Sequence, residues 1–128
     1  MRVLFVCTGN ICRSPFAEAV ARGEGLDVES AGLAAYAGAG PTDDAIAVAR
    51  ERGYDLSSHH ARPLTEEMLE RADVVVGMTA AHVSALGERA RLLGEADLDD
   101  PIGRGRDVYR RVYAQIEADV RKLVREGA

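Results

Sequence analysis

The chain has 128 residues, of which 47% are hydrophobic and 29% are charged, and its net charge is −5 at pH 7. This length and balance are typical of one globular domain, here residues 1–128, that can bury a substantial core. No Lys/Arg-rich run indicates a nucleic-acid partner, and no segment is long and apolar enough to indicate a membrane partner. The two cysteines fit neither a secreted disulfide framework nor a zinc site, so we expect a cytoplasmic protein in a reducing compartment.

Apolar runs and helical periodicities alternate along the chain, which is typical of βαβ units around a parallel sheet. The predicted strands cover about 2–7, 27–31, 73–78 and 91–93. The predicted helices run from Pro15 to about 23–25, over 42–52, over a short stretch capped by Thr65, over 80–88 after a Thr79 cap, and over 106–125. The expected fold class is α/β, a single domain whose four-stranded parallel sheet has helices on both faces.

A tight loop between the first strand and the first helix carries the most chemistry. It begins at Cys7 and ends at Arg13 and Ser14. Such a loop can turn its backbone N–H groups inward and bind an anion at the start of the helix. Donors around Cys7 favour its thiolate, which is a nucleophile, and the planar fork of Arg13 can hold two phosphate oxygens. The pattern indicates phosphoryl transfer through a cysteinyl-phosphate.

Two residues of this loop have a second interpretation. Ser14 precedes Pro15, so it is a candidate N-cap with proline at the first helical position. Its hydroxyl could also hydrogen-bond the sulfur of Cys7, and both interpretations can hold. Cys7 could instead be a small buried residue at the end of a core strand, but the surrounding loop favours the nucleophile.

Residues 7–15 match every fixed position of the signature Cys-x-Gly-Asn-x-Cys-Arg-Ser-Pro, and the chain therefore resembles the low-molecular-weight protein tyrosine phosphatases. Four further segments match that family in order and rough spacing: Ser30-Ala31-Gly32, His59 with Arg62, Asp73 to Met78, and Asp100-Pro101. The resemblance covers the whole chain and implies the three-layer fold of that family.

The resemblance implies roles for individual residues. Cys7 would be the nucleophile, Arg13 the phosphate clamp, and Asp100 the general acid that later activates water. The phosphate would be bound by the loop residues Thr8, Gly9, Asn10, Ile11, Cys12, Arg13 and Ser14. Because no metal is needed when the loop and Arg13 supply the positive charge, we expect neither a metal nor another cofactor.

A second group of residues would support this chemistry. The resemblance implies a polar network of Asn10, Ser14, Ser30 and His59 that holds the loop in shape. It also implies that Cys12 can form a disulfide with Cys7 and protect it from over-oxidation. Alternatives remain, because Asp100 could belong to a simple turn, Cys12 could be only a packed residue, and His59 is more typical of a structural histidine than of a ligand. His60 is predicted to lie at the surface.

The expected substrate is a phosphorylated protein, with inorganic phosphate as product and inhibitor. Ile11 and the aromatic Tyr36 fit the tyrosine-specific pattern, whereas Ile102-Gly103 after Asp100-Pro101 resembles the protein-arginine phosphatases. We therefore predict a phosphotyrosine phosphatase, with a protein-arginine phosphatase of the same fold as the alternative. Thioredoxin-coupled arsenate reductases need further cysteines, and a non-catalytic anion-binding module would not keep both Cys7 and Asp100.

The predicted topology brings these segments together. Ligands bind at the carboxyl ends of the strands in a parallel sheet, near the point where the strand order reverses. Cys7 and Ser30 end two predicted strands, and Asp100 follows the last one. We therefore expect all three at one edge of the sheet.

Overall fold

The computed structural model describes residues 1–127. Its strands, β1 (Arg2–Cys7), β2 (Asp27–Gly32), β3 (Val74–Gly77) and β4 (Ala90–Leu92), form one parallel sheet in the order β2-β1-β3-β4. The chain moves outward from β1 to β2 and then returns to the other side of β1 to form β3. The strand order therefore reverses at β1, and the crevice for a ligand opens where β1 ends.

Helices cover both faces of the sheet, as predicted. They are α1 (Arg13–Gly23), α2 (Asp43–Glu51), α3 (Glu66–Arg71), α4 (Ala80–Leu86) and α5 (Arg106–Arg125). Side chains of β1 alternate between two hydrophobic clusters, with Val3 and Phe5 in one and Leu4 and Val6 in the other. The first cluster includes residues of α1, α2 and α5, and residues of α3 and α4 pack in the second. Because both faces are buried, the strand is apolar without alternation.

Most predicted element bounds agree with the structure to within two residues, and the caps of the short helices are confirmed. The side chains of Thr65 and Thr79 accept hydrogen bonds from the backbone N–H groups of Met68 and His82. Thr42, predicted to lie inside the second helix, is instead its N-cap. No helix in the described part of the chain is long and apolar enough to cross a membrane.

The predicted start of the first helix was wrong. Helix α1 begins at Arg13 with Cys12 as N-cap, and no side chain caps it. Ser14 is therefore not the N-cap, because its hydroxyl contacts the sulfur of Cys7 instead. Pro15 lies within the first turn, where its missing N–H removes no helical hydrogen bond. The uncapped N–H groups of this turn remain available to an anion in the loop.

Candidate active site

The loop between β1 and α1 folds back around the sulfur of Cys7. Asn10 has a φ of 55°, in the left-handed region that asparagine adopts more readily than most residues. This turn brings the backbone N–H of Asn10 to 3.3 Å from Cys7 Sγ. Cys7 is buried at the end of β1, so the sulfur lies at the floor of the loop with a backbone donor beside it.

Donors outside the loop hold its first two carbonyl groups. The carbonyl oxygens of Cys7 and Thr8 accept hydrogen bonds from the backbone N–H groups of Leu33 and Ala34, each at 2.9 Å. This contact requires Gly32, because a Cβ atom there would lie 2.7 Å from the carbonyl oxygen of Thr8. The end of β2 thus fixes the backbone beside the nucleophile.

Two further carbonyl groups of the loop are held in the same way. His59 Nε2 lies 2.9 Å from the carbonyl oxygen of Asn10, and the hydroxyl of Tyr113 donates to that of Cys12 at 2.8 Å. Across a trans peptide the following N–H points opposite to the carbonyl. External donors on the carbonyl groups therefore direct the next N–H groups into the loop, which is the arrangement of an anion-binding nest.

The side-chain amide of Asn10 fixes the direction of the hydrogen bonds behind the loop. Its Oδ1 accepts from the backbone N–H of Arg62 at 2.9 Å. Its Nδ2 donates to Ser14 Oγ at 2.8 Å and to Ser30 Oγ at 2.9 Å. Because Ser14 accepts at that bond, its own proton is available to Cys7 Sγ, 2.9 Å away. The sulfur thus has a second hydrogen-bond donor beside it.

Glu18 ends this network with a buried carboxylate. Its side chain accepts from the hydroxyl of Ser30 at 2.5 Å. Arg22 and Arg62 lie 2.6 Å and 3.2 Å from the other carboxylate oxygen. A carboxyl group that is only 4% exposed needs such hydrogen-bonded partners in place of water. The Ser30 proton therefore points to Glu18, and the oxygen of Ser30 is left to accept from Asn10.

His59 has the structural position that was predicted for it. It is partly buried and donates from Nε2 to the carbonyl oxygen of Asn10, while its Nδ1 lies 3.9 Å from Glu18. Burial lowers the pKa of His59 below its ordinary value, so the ring is neutral at pH 7. His60 is exposed, as predicted, and its Nδ1 lies 3.4 Å from the carbonyl oxygen of Gly38.

Arg13 connects the loop to the segment that follows β4. Its guanidinium is buried and donates to the carbonyl oxygen of Leu98 at 3.0 Å. The other terminal nitrogen lies 3.8 Å from Asp100 Oδ2. The Asp100 side chain is about half exposed, so it faces solvent on one side and the loop on the other. The predicted phosphate clamp and the predicted acid therefore meet at the carboxyl edge of the sheet.

A cavity of about 150 Å³ opens in front of the sulfur. The residues around it are Cys7, Thr8, Gly9, Ile11, Cys12, Arg13, Asp100 and Ile102. A nucleophile, a guanidinium and a carboxyl group thus share one small space with two apolar side chains. The four residues predicted to support the loop lie behind it rather than around the cavity: Asn10, Ser14, Ser30 and His59. Tyr36, predicted as a specificity residue, is 85% exposed and is not part of the cavity wall.

Cys12 lies between the loop and the hydrophobic core. Its sulfur is 3.2 Å from the hydroxyl of Tyr109, and burial raises the pKa of the Cys12 thiol to about 11. Both cysteines are free thiols. Tyr109 and Tyr113 of α5 are buried, and the rings of Tyr113 and Phe16 stack at 4.0 Å. Cys12 is therefore protonated at neutral pH and packs as a core residue.

The sequence reasoning missed two buried polar residues of the site. Glu18 lies on the same helix as Arg13. The sequence feature that could have indicated its role is a charged residue among the apolar residues of the buried helix face. His82 follows the Thr79 cap by three residues and lies 3.0 Å from the hydroxyl oxygen of Thr8. Its signal is weaker, since a histidine in a short amphipathic helix is usually exposed.

A larger concavity of about 610 Å³ lies elsewhere, between the chain after β4 and helix α5. Charged side chains of both signs surround it, among them Arg91, Glu95, Asp119 and Lys122. The described residues that line it include no cysteine, serine or threonine, and none of them belongs to the loop around Cys7. The smaller cavity, where the reactive groups converge, is the candidate active site.

Known proteins are similar to this chain over nearly its whole length. The profile of the family described as low molecular weight phosphotyrosine protein phosphatase matches residues 2–127. The chain is 35% identical to the low molecular weight protein-tyrosine-phosphatase Wzb of Escherichia coli, over 94% of this chain and 90% of that protein. It is also 35% identical to the protein-arginine-phosphatase of Bacillus subtilis, over 98% and 96% of the two chains.

Solved structures agree with this relationship. The low molecular weight protein tyrosine phosphatase from T. tengcongensis superimposes with a TM-score of 0.91 at 34% identity, over 98% of this chain and 99% of that one. The chain therefore belongs to the low molecular weight protein tyrosine phosphatase family, whose members are hydrolases.

Proposed function

We propose that this protein hydrolyses phosphotyrosine in phosphorylated proteins through a cysteinyl-phosphate intermediate. The observation that carries the proposal is the convergence of Cys7, Arg13 and Asp100 on one cavity, with the Ser14 hydroxyl 2.9 Å from the nucleophilic sulfur. Each group has the chemistry that one part of the reaction needs. The second thiol at the cavity, of Cys12, contacts the hydroxyl of Tyr109, and burial raises its pKa to about 11.

In the first step the Cys7 thiolate attacks phosphorus. An S–P bond forms while the bond from phosphorus to the tyrosine oxygen breaks, and Asp100 in its protonated form gives its proton to that oxygen. The inward N–H groups of the loop and the guanidinium of Arg13 stabilise the charge on the three remaining phosphoryl oxygens. The products are a free tyrosine side chain and a phosphorylated Cys7.

In the second step water hydrolyses this intermediate. Asp100, now a carboxylate, takes a proton from the water as its oxygen bonds to phosphorus and the S–P bond breaks. Inorganic phosphate leaves, the Cys7 thiolate is restored with the Ser14 hydroxyl as its donor, and Asp100 is again protonated. Because phosphate occupies the same loop as the substrate, it is also a competitive inhibitor.

The apolar side chain of Ile11 favours phosphotyrosine. Ile11 lies on the cavity wall, where it can pack on the face of a phenyl ring. Tyr36 lies farther out on the surface and is available to the peptide around the phosphorylated residue. The cytoplasm is the proposed location, because the two free thiols of the loop, of Cys7 and Cys12, need a reducing compartment to remain reduced.

Hydrolysis of phosphoarginine is the second candidate, and two observations favour it. The Bacillus subtilis relative is named a protein-arginine-phosphatase and is as similar to this chain as the tyrosine phosphatase of Escherichia coli. The cavity also carries Ile102 directly after Asp100-Pro101, where a tyrosine-specific enzyme often has aromatic walls. Ile11 argues in the opposite direction.

The test compares kcat/KM on a phosphotyrosine peptide and a phosphoarginine peptide of the same sequence, with Cys7→Ser as the blank. We expect higher kcat/KM on phosphotyrosine, and a shift toward phosphoarginine in Ile11→Thr. Ala114→Thr, which introduces the same residue at an exposed position of α5 outside the cavity, is the control. A wild-type preference for phosphoarginine would reassign the substrate, and full turnover by Cys7→Ser would rule out the cysteinyl-phosphate.

A further inference from the structure

His82 is a buried histidine beside the active-site loop that the reaction above does not use. It lies in α4, it is 5% exposed, and its Nδ1 is 3.3 Å from the backbone N–H of Met78. A backbone N–H can only donate, so Nδ1 must be the acceptor and carries no proton. The ring proton is therefore on Nε2, which lies 3.0 Å from the hydroxyl oxygen of Thr8.

The surroundings of His82 keep it neutral. Burial lowers the pKa of His82, and the guanidinium of Arg13 lowers it further, while Asp97 and Asp100 act in the opposite direction. A second proton on Nδ1 would also break the bond to Met78. The Nε2–H group is therefore a fixed donor to Thr8 at neutral pH.

Thr8 holds its hydroxyl at the active-site cavity. Its carbonyl oxygen is bound by Ala34 and its Oγ1 accepts from His82, so both its backbone and its side chain are fixed. The side chain is exposed toward the cavity that also contains Cys7 and Asp100. Because the oxygen already accepts from His82, the hydroxyl proton is free to be donated into the cavity.

We propose that the Thr8 hydroxyl, positioned by His82, binds the water that hydrolyses the cysteinyl-phosphate. This inference depends on the proposed function. One lone pair of the water attacks phosphorus, and one of its protons goes to Asp100. Its other lone pair accepts a hydrogen bond from the Thr8 hydroxyl. Thr8 gains and loses no proton, so the products remain inorganic phosphate and the Cys7 thiolate.

Thr8 is the side chain at the cavity that is available to donate a hydrogen bond to this water. Arg13 is engaged with the phosphoryl group and with Leu98, and the thiol of Cys12 is turned to Tyr109. Asp100 must accept a proton in this step and cannot donate. The remaining side chains on the wall, of Ile11 and Ile102, are apolar. A neutral donor opposite Asp100 is what a water needs to be held with its lone pair toward phosphorus.

Rapid-mixing kinetics with p-nitrophenyl phosphate separates the two steps. Its good leaving group makes the first step fast, so the burst of nitrophenolate reports phosphorylation of Cys7 and the steady state reports attack by water. In Thr8→Val we expect kcat and KM to fall together by about 3- to 10-fold, the size of one lost hydrogen bond, with kcat/KM unchanged. The burst should be larger than in the wild type.

Variants that remove or keep the N–H donor of His82 test its role in positioning Thr8. His82→Leu removes the donor and should reproduce the Thr8→Val kinetics, whereas His82→Gln keeps an N–H group near Nε2 and should recover most of kcat. The double variant Thr8→Val with His82→Leu should lose no more than either single variant, because both act on one water. His60→Leu, at the exposed neighbour of His59, is the control and should behave as the wild type.

The outcomes separate this inference from the proposed function. A wild type that forms no phosphorylated Cys7 would defeat the proposed function itself. A wild type that forms it while Thr8→Val leaves kcat unchanged, or lowers kcat/KM as much as kcat, would overturn the role of Thr8 in the water step. If Thr8→Val behaves as expected but His82→Gln is as slow as His82→Leu, the positioning role of His82 is wrong.

Discussion

The hydroxyl of Ser14 lies 2.9 Å from the sulfur of Cys7, and Asn10 determines which of the two is the donor. The amide of Asn10 donates to the Ser14 oxygen, so the Ser14 proton has only the sulfur to bind. In the proposed reaction, a donor at this place would stabilise a negative sulfur both when the thiolate attacks and when it leaves the phosphoryl group. Local sequence thus creates a nucleophile and its stabilising partner seven residues apart.

Removing this donor should slow Cys7 in both directions. In Ser14→Ala we expect alkylation by iodoacetate at pH 7 and kcat to fall by about 10- to 100-fold, as for a lost hydrogen bond to a charged group. Phosphate should still protect Cys7 from alkylation, because Arg13 and the backbone of the loop are unchanged. Ser84→Ala, at an exposed serine, is the control. An alkylation rate equal to that of the wild type would contradict the assigned direction of the hydrogen bond.

The proposed role of Asp100 depends on the leaving group. Asp100→Ala should lower kcat/KM by about 10²- to 10⁴-fold on phenyl phosphate, whose oxygen needs a proton, and far less on p-nitrophenyl phosphate. Asp99→Ala is the matched control, because Asp99 is equally exposed and pairs with Arg111 at 3.0 Å instead of facing Arg13. Equal losses on the two substrates would mean that Asp100 is not the acid.

The sequence predicted the site where the chemistry is local and missed it where packing assembles it. Residues from Cys7 to Ser14 run from the end of β1 into the first turn of α1, so their spacing alone predicted an anion site next to a candidate nucleophile. The carboxyl-edge rule then placed Asp100 near them, and the 3.8 Å separation between Arg13 and Asp100 confirms that placement. The predicted start of α1 was wrong because the Ser14 side chain contacts the sulfur of Cys7 instead of capping the helix.

The supports of the loop come from distant parts of the chain. Tyr113 is 101 residues from Cys12, and His82 is 74 residues from Thr8. No spacing rule connects such pairs, because their contact depends on how α4 and α5 pack on the sheet. Glu18 is nearer in sequence, yet its role became visible only once β2 placed Ser30 beside it.

The buried carboxylate of Glu18 should matter for both stability and activity. Glu18→Ala leaves the hydroxyl of Ser30 without an acceptor and frees Arg62, and we expect a loss of about 1–3 kcal/mol in the free energy of unfolding. Glu18→Gln keeps an acceptor for Ser30 and should lose less. Urea unfolding measures both, with exposed Glu70→Ala as a control within about 0.5 kcal/mol of wild type. Equal stability of Glu18→Ala and Glu70→Ala would show that the network ends at Ser30.

Two histidines should make the fold sensitive to mild acid. Burial lowers the pKa of His59 and of His82 in the folded protein, whereas the unfolded chain holds them at 6.5. Below that pH the unfolded state binds protons that the folded state does not, so the free energy of unfolding falls as pH falls. Above pH 6.5 both histidines are neutral in the folded and the unfolded protein, so their contribution to the free energy of unfolding is constant.

Urea midpoints at pH 7.5, 6.5 and 5.5, chosen as roughly one unit on either side of the ordinary histidine value, measure this effect. The wild-type midpoint should fall on acidification, and the fall should be smaller in His82→Gln, which cannot take up a proton. His60→Gln removes an exposed histidine and should retain the wild-type slope. A wild-type slope in His82→Gln would show that His82 does not contribute.

Gly32 should tolerate no side chain, because β2 and the active-site loop approach each other there. A Cβ atom at Gly32 would lie 2.7 Å from the carbonyl oxygen of Thr8 and 3.0 Å from the backbone nitrogen of Asn10. Both neighbours are backbone atoms of the loop, so the loop itself must move. We expect Gly32→Ala to lose about 1–3 kcal/mol of unfolding free energy and to reduce kcat, since the N–H groups of the nest would be displaced.

Gly40→Ala gives the matched comparison. A Cβ atom at Gly40 meets nothing within 4 Å, and the backbone there needs no positive φ. The substitution should therefore be neutral or stabilise the protein by up to about 1 kcal/mol through the unfolded state, with kcat unchanged. Urea unfolding and steady-state kinetics of the two variants together test the close approach. If Gly32→Ala retained wild-type kcat, the contact between β2 and the loop would not be what holds the anion site in shape.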